Sequence, residues 1–314
     1  MQGVLVSIAT YEKTDEIRSK RLADGAEWIR PAAPSDIAET GFLTTASGRM
    51  WIDEASRAEL QASGLANFEA VMATLDGDCL RVLDDRQNWR LEIAGRGAFL
   101  KKHRIRTWTT RLAARLGRRP QDSAGRVEAR YARRLAADRI GVMNVLAWGE
   151  RLDADGRLES FFLSEELDGF LPLDDFIRCR FGPIGAPVRL DGDLARLLRQ
   201  VAAVARRFHR AGYNHRDFYC CHLFVRETAA GRFDIRLIDL QRVQHRTRWR
   251  GRWLVKDLAQ LAWSAPRSRV TCSRRMAFVK QYLGVRRLAP GDKRFIRRIL
   301  ARQRRMERRL GKCA

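Results

Sequence analysis

Residues 213–222 read Tyr-Asn-His-Arg-Asp-Phe-Tyr-Cys-Cys-His and contain a single carboxylate, Asp217. An amphipathic helix is predicted before this stretch, with an apolar stripe that reaches Phe208 and a stop at Gly212. A short apolar hairpin is predicted after it, over residues 223–238. Asp217 is therefore placed on a loop. Transfer of a phosphoryl group to a hydroxyl needs such a carboxylate, which orients the hydroxyl and accepts its proton.

The loop matches part of the pattern His-Arg-Asp-Leu-x-x-x-Asn, in which the Asp is the base of protein kinases and the Asn binds metal. Asp217 occupies the base position and His222 the Asn position. Three matching residues arise often by chance in an Arg-rich chain, so a second element is needed. Asp239 ends a predicted strand 22 residues after Asp217, and this spacing predicts that Asp239 binds Mg²⁺, although Leu-Gln replaces the usual Phe-Gly.

A lysine upstream suits a nucleotide site. Lys101 ends the third strand of a predicted meander, where a lysine reaches the α- and β-phosphates of ATP if a glutamate on the next helix holds it. Glu128 stands at the start of that helix, which is predicted over residues 126–139. Lys102 is the rival for this role, but alternation along a strand places Lys101 on the same face as Phe99.

Two further segments would complete the nucleotide site. The backbone near Glu166 and Leu167, at the predicted link between two lobes, is a candidate contact for adenine. The sequence has no Gly-rich phosphate loop, so residues 84–88, predicted to be a hairpin loop, would have to cover the phosphates.

The order of elements predicts an α+β protein with a bilobal, protein-kinase-like fold. We expect an N-terminal extension over residues 1–45, a lobe with an antiparallel sheet and one helix over 46–167, and a mainly helical lobe over 168–314. Short helical pieces are predicted at 51–65 and 67–73. Asp193 is predicted to cap the long helix that precedes the Asp217 loop.

Composition indicates an anionic partner without identifying it. The 314 residues include 61 Lys+Arg against 37 Asp+Glu, a formal net charge of +24. Nucleic acid, anionic lipid and a phosphorylated substrate all fit this excess, as does a plain solvated surface. No apolar run is long enough to span a membrane, no signal peptide is recognised, and six scattered cysteines fit a reducing cytoplasm.

Two features of the sequence suggest functions of another class. Cys220, Cys221 and His222 suggest zinc, but adjacent cysteines do not easily bind one tetrahedral ion and no second pair exists. The segment 286–312 carries twelve basic and two acidic residues. It fits a packed helix with a solvated face, or attraction to a membrane surface. Nucleic acid is a less favoured partner, because no aromatic stacking platform or reading helix is identified. A basic nucleic-acid- or membrane-binding pseudokinase remains the alternative class.

The motifs together resemble one family, the lipopolysaccharide core sugar kinases of the Kdo/WaaP group. Residues 214–222 are similar to its Asn-His-Arg-Asp-[Cys/Phe]-Tyr-x-Cys-His, in which His222 belongs to the signature. Four more segments are similar to family motifs: 99–103, 164–167, 237–244 (with Gln241 where the family has His) and 252–258.

The resemblance implies an ATP- and Mg²⁺-dependent kinase that phosphorylates an inner-core sugar, usually heptose, on lipid A-core oligosaccharide. It would act as a peripheral protein on the anionic cytoplasmic face of the inner membrane. Kdo, a protein or another small molecule are alternative acceptors, since residues 102–125 depart from the family pattern. A protein partner needed for stability stays an open question.

The resemblance also assigns roles to individual residues. Asp217, His222, Arg216 and His215 form the expected catalytic set, and Asp239 with His222 the expected metal set. Arg216 and Arg242 would support negative charge, and Asp257 would brace the loop from below. Lys101, Glu128, Glu166 and Leu167 form the expected nucleotide set.

Overall fold

A computed structural model describes residues 42–45, 48–117, 122–182, 188–229, 231–248 and 250–310. Of the N-terminal extension predicted over residues 1–45, only Phe42–Thr45 lies within these ranges. The strands of the first half are β1 (Phe42–Thr45), β2 (Gly48–Ile52), β3 (Asp78–Leu83), β4 (Arg86–Ile93), β5 (Arg96–Arg106), β6 (Val145–Leu152) and β7 (Arg157–Glu165). They form an antiparallel sheet in the order β1-β2-β6-β7-β5-β4-β3.

Two-residue turns set the register of the meander. Ala94 and Gly95, with φ of 50° and 74°, join β4 to β5. Positive φ at both positions gives a turn whose twist matches that of the strands. Residues 84–85 likewise join β3 to β4, because residues 86–88 pair with both neighbouring strands. The loop predicted over residues 84–88 is therefore wrong in length.

The segment around Trp51 is a strand rather than a helix. Met50 and Ile52 are buried and alternate with Trp51, which lies opposite Trp148 of β6. This period of two fits a sheet, and the backbone pairing with β6 outweighs the helical pattern. Helices start only afterwards, with α1 (Arg57–Ala62) and α2 (Phe68–Ala73).

Apolar side chains are buried on both faces of this sheet. On one face, residues such as Ile93 and Phe161 pack against α1 and α2. On the other face, Trp148 and Phe162 belong to a core that continues into the second half of the chain. Between β5 and β6 the chain forms α3 (Trp108–Arg115) and α4 (Ala124–Ala137), and α4 lines the second face.

Helices dominate the second half of the chain. They are α5 (Leu173–Phe181), α6 (Val188–Arg210), α7 (Gly251–Ser264), α8 (Cys272–Leu283) and α9 (Pro290–Leu310). Short strands accompany them: β8 (Leu171–Pro172), β9 (Tyr213–Asn214), β10 (Leu223–Ala229), β11 (Arg232–Leu237) and β12 (Gln244–His245). Among the described residues, none of the helices combines the length and apolar character needed to cross a bilayer.

Two predicted boundaries differ from the structure. α6 begins at Val188, so Asp193 lies inside it and pairs with Arg196 instead of capping it. The sheet already includes Phe42–Thr45, ahead of the boundary predicted at residue 46. In both cases the hydrogen-bonded backbone structure begins earlier in the chain than the pattern of side chains indicates.

Two glycines inside helices allow a test of how α4 is seated on the sheet. A Cβ at Gly125 would overlap the carbonyl oxygen of Phe161, whereas a Cβ at Gly192 of α6 would meet nothing within 4 Å. We expect Gly125→Ala to lower the free energy of unfolding by about 1–3 kcal/mol through overpacking. Gly192→Ala should raise it by about 0.5–1 kcal/mol through helix propensity. Urea unfolding followed by tryptophan fluorescence measures both, and equal shifts would contradict the close approach of α4.

Candidate active site

The loop that contains Asp217 is held by a buried carboxylate from another element. Asp257 of α7 is fully buried, and its two oxygens accept the backbone N–H groups of His215, at 2.8 Å, and Arg216, at 2.9 Å. Arg216 has a φ of 71°. This left-handed conformation costs a non-glycine residue about 1–2 kcal/mol, so the two hydrogen bonds are needed to fix the loop in it.

A second layer holds Asp257 itself. The Nε2 atom of His209 on α6 lies 3.3 Å from the Asp257 carboxylate, and its Nδ1 atom lies 2.9 Å from the hydroxyl of Tyr282. Burial lowers the pKa of His209 despite the hydrogen bond to Asp257. The ring is therefore neutral: its Nε2–H donates to Asp257 and its Nδ1 accepts from Tyr282.

Asp217 lies between two cations. Arg242 approaches one of its carboxylate oxygens to 2.9 Å, and Lys256 approaches the other to 3.9 Å. The Lys256 ammonium also donates to the backbone carbonyl of Arg216. Burial lowers the pKa of Lys256, and the positive charge of Arg242 opposes the raising effect of Asp217. Each carboxylate oxygen of Asp217 therefore faces a basic side chain.

Asp239 faces the same site from the end of β11. It has a φ of 56°, and its carboxylate lies 3.8 Å from both the Lys101 ammonium and the Nε2 atom of His222. Burial raises the pKa of Asp239, but the charges of Lys101, His222 and Arg86 outweigh that effect and lower it. Asp239 is thus an anion in a positively charged environment.

His222 lies between the backbone of Asp217 and the carboxylate of Asp239. Its Nδ1–H donates to the backbone carbonyl of Asp217 at 2.7 Å, while Nε2 faces Asp239. Burial lowers the pKa of His222, but hydrogen bonds to the Cys221 side chain and to that carbonyl, with the charge of Asp239, raise it to about 9. The ring carries a positive charge at neutral pH.

The two adjacent lysines of β5 point to opposite faces of the sheet. Lys101 makes a 2.5 Å ion pair with Glu128, which is fully buried on α4. Lys102 is buried on the other face, where it donates to the carbonyls of Met72 and Thr74. Only Lys101 reaches the side of the sheet on which Asp239 lies.

The structure places the remaining predicted residues as follows. His215 is buried beneath the loop, with Nε2 3.0 Å from the Ile238 carbonyl, so it ties the Asp217 loop to the strand of Asp239. The Arg216 guanidinium lies over the Trp253 ring at 5.0 Å. Glu166 pairs with Arg90 at 2.8 Å, and its N–H donates to the Gly97 carbonyl.

Comparisons with known proteins show the family of this chain. The model of the lipopolysaccharide kinase (Kdo/WaaP) family matches residues 71–282. The chain belongs to this family. It is 35% identical over 224 residues to the lipopolysaccharide core heptose(I) kinase WaaP of Pseudomonas aeruginosa, covering 70% of this chain and 81% of that protein. The Escherichia coli protein of the same name is 33% identical over 219 residues, covering 68% and 80%.

A solved structure supports the fold. This chain is similar to WaaP in complex with acyl carrier protein, with a TM-score of 0.62 and 32% identity, over 84% of this chain and 98% of the other. The predicted family, the kinase-like α+β fold and the phosphotransferase class are therefore confirmed. The alternative of a nucleic-acid-binding pseudokinase is not favoured.

Membership of a kinase family implies the use of ATP. The side chains present are compatible with Mg²⁺. Among the described residues, no three His, Cys, Asp or Glu side chains converge as a complete metal cage. Mg²⁺ does not need one, because it is usually held by one or two carboxylates together with substrate phosphates. The ionised carboxylate of Asp239 is a suitable oxygen donor.

Several site residues were not assigned from the sequence. The Gln241 amide donates to the second Glu128 oxygen at 2.9 Å and lies 3.3 Å from Nε2 of His103. Burial and the charges of Arg86 and Lys101 lower the pKa of His103 to about 4, so its neutral ring accepts from Gln241. Lys256 could have been found from the sequence, because it lies next to Asp257 in the family-like segment 252–258.

Removing one charge from Asp257 tests its role as a brace. In Asp257→Asn an N–H₂ group would replace one acceptor, leaving a backbone N–H of the loop without its charged partner. We expect a loss of about 2–3 kcal/mol in unfolding free energy, the scale of a hydrogen bond to a charged group, and a fall in kcat.

A matched control uses another buried carboxylate that accepts a backbone N–H, Asp292 at the start of α9. Asp292→Asn should lower stability while leaving kcat unchanged. Thermal unfolding and phosphate transfer measure the two effects. Equal kcat values in the two variants would show that Asp257 does not act on the loop.

Proposed function

We propose that this protein is an ATP-dependent kinase that phosphorylates heptose in the inner core of lipopolysaccharide. The relatives named heptose(I) kinase support the acceptor. The observation that carries the proposal is the meeting of Asp217, Asp239 and the Lys101–Glu128 pair at one site. The acceptor most needs a test, because the resemblance to the family is weakest over residues 102–125.

In this proposal Asp217 orients the acceptor hydroxyl and accepts its proton as the sugar oxygen bonds to the γ-phosphorus. The bond from that phosphorus to the leaving oxygen of ADP breaks in the same transfer. Arg242, now paired with Asp217, is near enough to contact incoming negative charge. His215 and Arg216 act through the position that they give to the loop.

The nucleotide is assigned to the side of Lys101. Lys101, oriented by Glu128, contacts the α- and β-phosphates, and the backbone near Glu166 and Leu167 contacts adenine. When bound, Mg²⁺ would neutralise phosphate charge. Asp239 is its proposed ligand, and His222, beside Asp239, assists at the metal or at a phosphate oxygen.

The direct test supplies Mg-ATP and lipid A-core with and without existing phosphates, and locates new phosphate by mass spectrometry. Phosphate on heptose supports the proposal. Phosphate on Kdo, on a protein or on another small molecule would show that heptose is not the acceptor, but the protein would still be a kinase. Absence of transfer to every acceptor, with ATP binding retained, would overturn the proposal.

Variants of the neighbouring residues Lys101 and Lys102 form a matched pair that tests the assigned role of Lys101. Lys101→Met and Asp217→Asn should each lower kcat at least about 100-fold, the scale of a lost electrostatic or general-base contribution. Lys102→Met should retain activity, because Lys102 lies on the opposite face. Circular dichroism checks that all three variants fold. Equal losses of kcat in the two lysine variants would contradict the assignment of Lys101 to the nucleotide site.

We also propose an acyl carrier protein as a partner, since the similar solved structure is of WaaP in complex with acyl carrier protein. A groove of about 520 Å³ between α6 and α8 suits such a partner. Its lining includes the apolar side chains of Leu198 and Phe278 and the basic side chains of Arg199, Lys280 and Arg286. The apolar side chains fit an acyl chain, and the basic side chains fit an anionic surface.

Charge reversal tests this groove. Arg199→Glu with Lys280→Glu should weaken binding of acylated carrier protein at least about tenfold, because opposite charges become like charges. Arg298→Glu with Arg305→Glu on α9 is the control with the same change in net charge. Calorimetry measures both, and equal weakening would assign the effect to total charge alone.

The same proposal places the enzyme at the cytoplasmic face of the inner membrane as a peripheral protein, where a lipid-linked core would be presented to it. The net charge of +24 supports contact with an anionic surface.

A further inference from the structure

The helix α3 turns its large apolar side chains away from the protein. Trp108, Leu112 and Leu116 are 74%, 47% and 57% exposed. Their spacing of four residues places them in one stripe along the helix and its final turn. A helix on the surface of a globular protein normally points such residues toward the core. α3 has the opposite orientation, with its large apolar side chains toward solvent.

Small groups fix α3 to the sheet. Thr110 is buried, and its hydroxyl donates to the carbonyl of Gly156, in the turn between β6 and β7, at 2.7 Å. A Cβ at Gly156 would stand 2.5 Å from the Cα of Arg111, so a glycine is needed for this close approach. Thr107 and Thr110 also form a reciprocal cap at the start of the helix. The outward direction of Trp108 therefore follows from a defined docking of α3.

Arginines stand beside the apolar stripe. Arg111 and Arg115 are exposed on α3, and Arg106 is exposed at the end of β5. At 100° per residue, Arg115 lies next to Trp108 on the helix surface and Arg111 follows it. No acidic residue occurs from Lys101 to Gly117. The outward face combines tryptophan and leucine with fixed positive charge.

An anionic lipid bilayer matches both properties. Interfacial helices bury an apolar face at the level of the headgroups, tryptophan is enriched there, and arginine is attracted to anionic lipid. A protein groove would account for the apolar stripe, but the flanking arginines and the lack of acids favour the charged surface of a membrane. We propose that α3 is an interfacial helix that inserts Trp108, Leu112 and Leu116 into an anionic membrane surface.

This proposal rests on the proposed function and changes the part of the protein that contacts lipid. The basic helix α9 buries Phe295 and Ile299 against the protein, so its outward face offers arginines and only Leu300 among the exposed large apolar residues described there. α3 offers both. It follows β5 directly, and Arg106 is five residues from Lys101, a distance of roughly 17 Å along a strand. A lipid-linked acceptor would thus be held near the nucleotide.

Vesicle co-sedimentation tests the assignment with the full-length protein. Trp108→Ser with Leu112→Ser should reduce partitioning onto phosphatidylglycerol-rich vesicles at least about tenfold, because each inserted side chain contributes to binding. Met276→Ser with Leu300→Ser, two exposed apolar residues on α8 and α9, is the matched control and should retain partitioning. Arg111→Gln with Arg115→Gln should reduce binding to anionic vesicles and leave the weak binding to phosphatidylcholine vesicles unchanged.

Three results would overturn the proposal: no partitioning of the unmodified protein, unchanged partitioning of the Trp108/Leu112 variant, or an equal loss in the Met276/Leu300 control. Loss of binding to acyl carrier protein in the Trp108/Leu112 variant, with vesicle binding intact, would assign the face to a protein partner instead.

A kinase assay separates this proposal from the proposed function. With core oligosaccharide freed of its acyl chains, the Trp108/Leu112 variant should match the unmodified enzyme, whereas with vesicle-embedded lipid A-core it should be slower by a factor similar to its loss of partitioning. Failure of both proteins to phosphorylate either acceptor, with vesicle binding normal, would reject the function and not the membrane helix. Equal rates on vesicle-embedded acceptor would reject the helix and retain the function.

Discussion

The buried carboxylate of Asp257 is the constraint on which the active site depends. A charge without access to water must be compensated by hydrogen bonds, and Asp257 obtains them from two consecutive N–H groups of the loop that contains Asp217 and from His209. Satisfying the charge therefore shapes the loop. It holds Arg216 in a left-handed conformation and directs Asp217 toward the site.

On the side of the site that contains Lys101, a second buried carboxylate is also held by partners from other elements. Glu128 is fully buried and accepts from Lys101 and Gln241, so the helix α4 is tied to β5 and to the segment after Asp239. Lys101 then lowers the pKa of Asp239 across 3.8 Å. Each charge in the site is positioned by a partner from a different element, so the sheet and the helices must pack correctly before the site exists.

The outer surface shows a different balance of forces. α3 docks through Thr110 and the glycine at 156, which leaves its larger apolar side chains in water. Exposed apolar area is unfavourable for an isolated protein, since it is not removed from water on folding. Such an arrangement is consistent with a second environment in which that area is buried, and a bilayer that is also anionic accounts for the arginines at the same place.

The sequence by itself determined the family, because short motifs at fixed spacing reflect local geometry and chemistry. It also predicted Asp217, Asp239, Lys101 and Glu128 as site residues, and the side chains of the last three meet in the structure. It did not determine that residue 51 lies in a strand or that α6 starts at Val188, since pairing partners distant in the chain decide both. Only the tertiary structure placed Lys256 and Gln241 beside those residues and turned the stripe of α3 outward. The physical reason is that hydrogen bonds and packing between elements depend on their three-dimensional arrangement, which no local pattern of residues specifies.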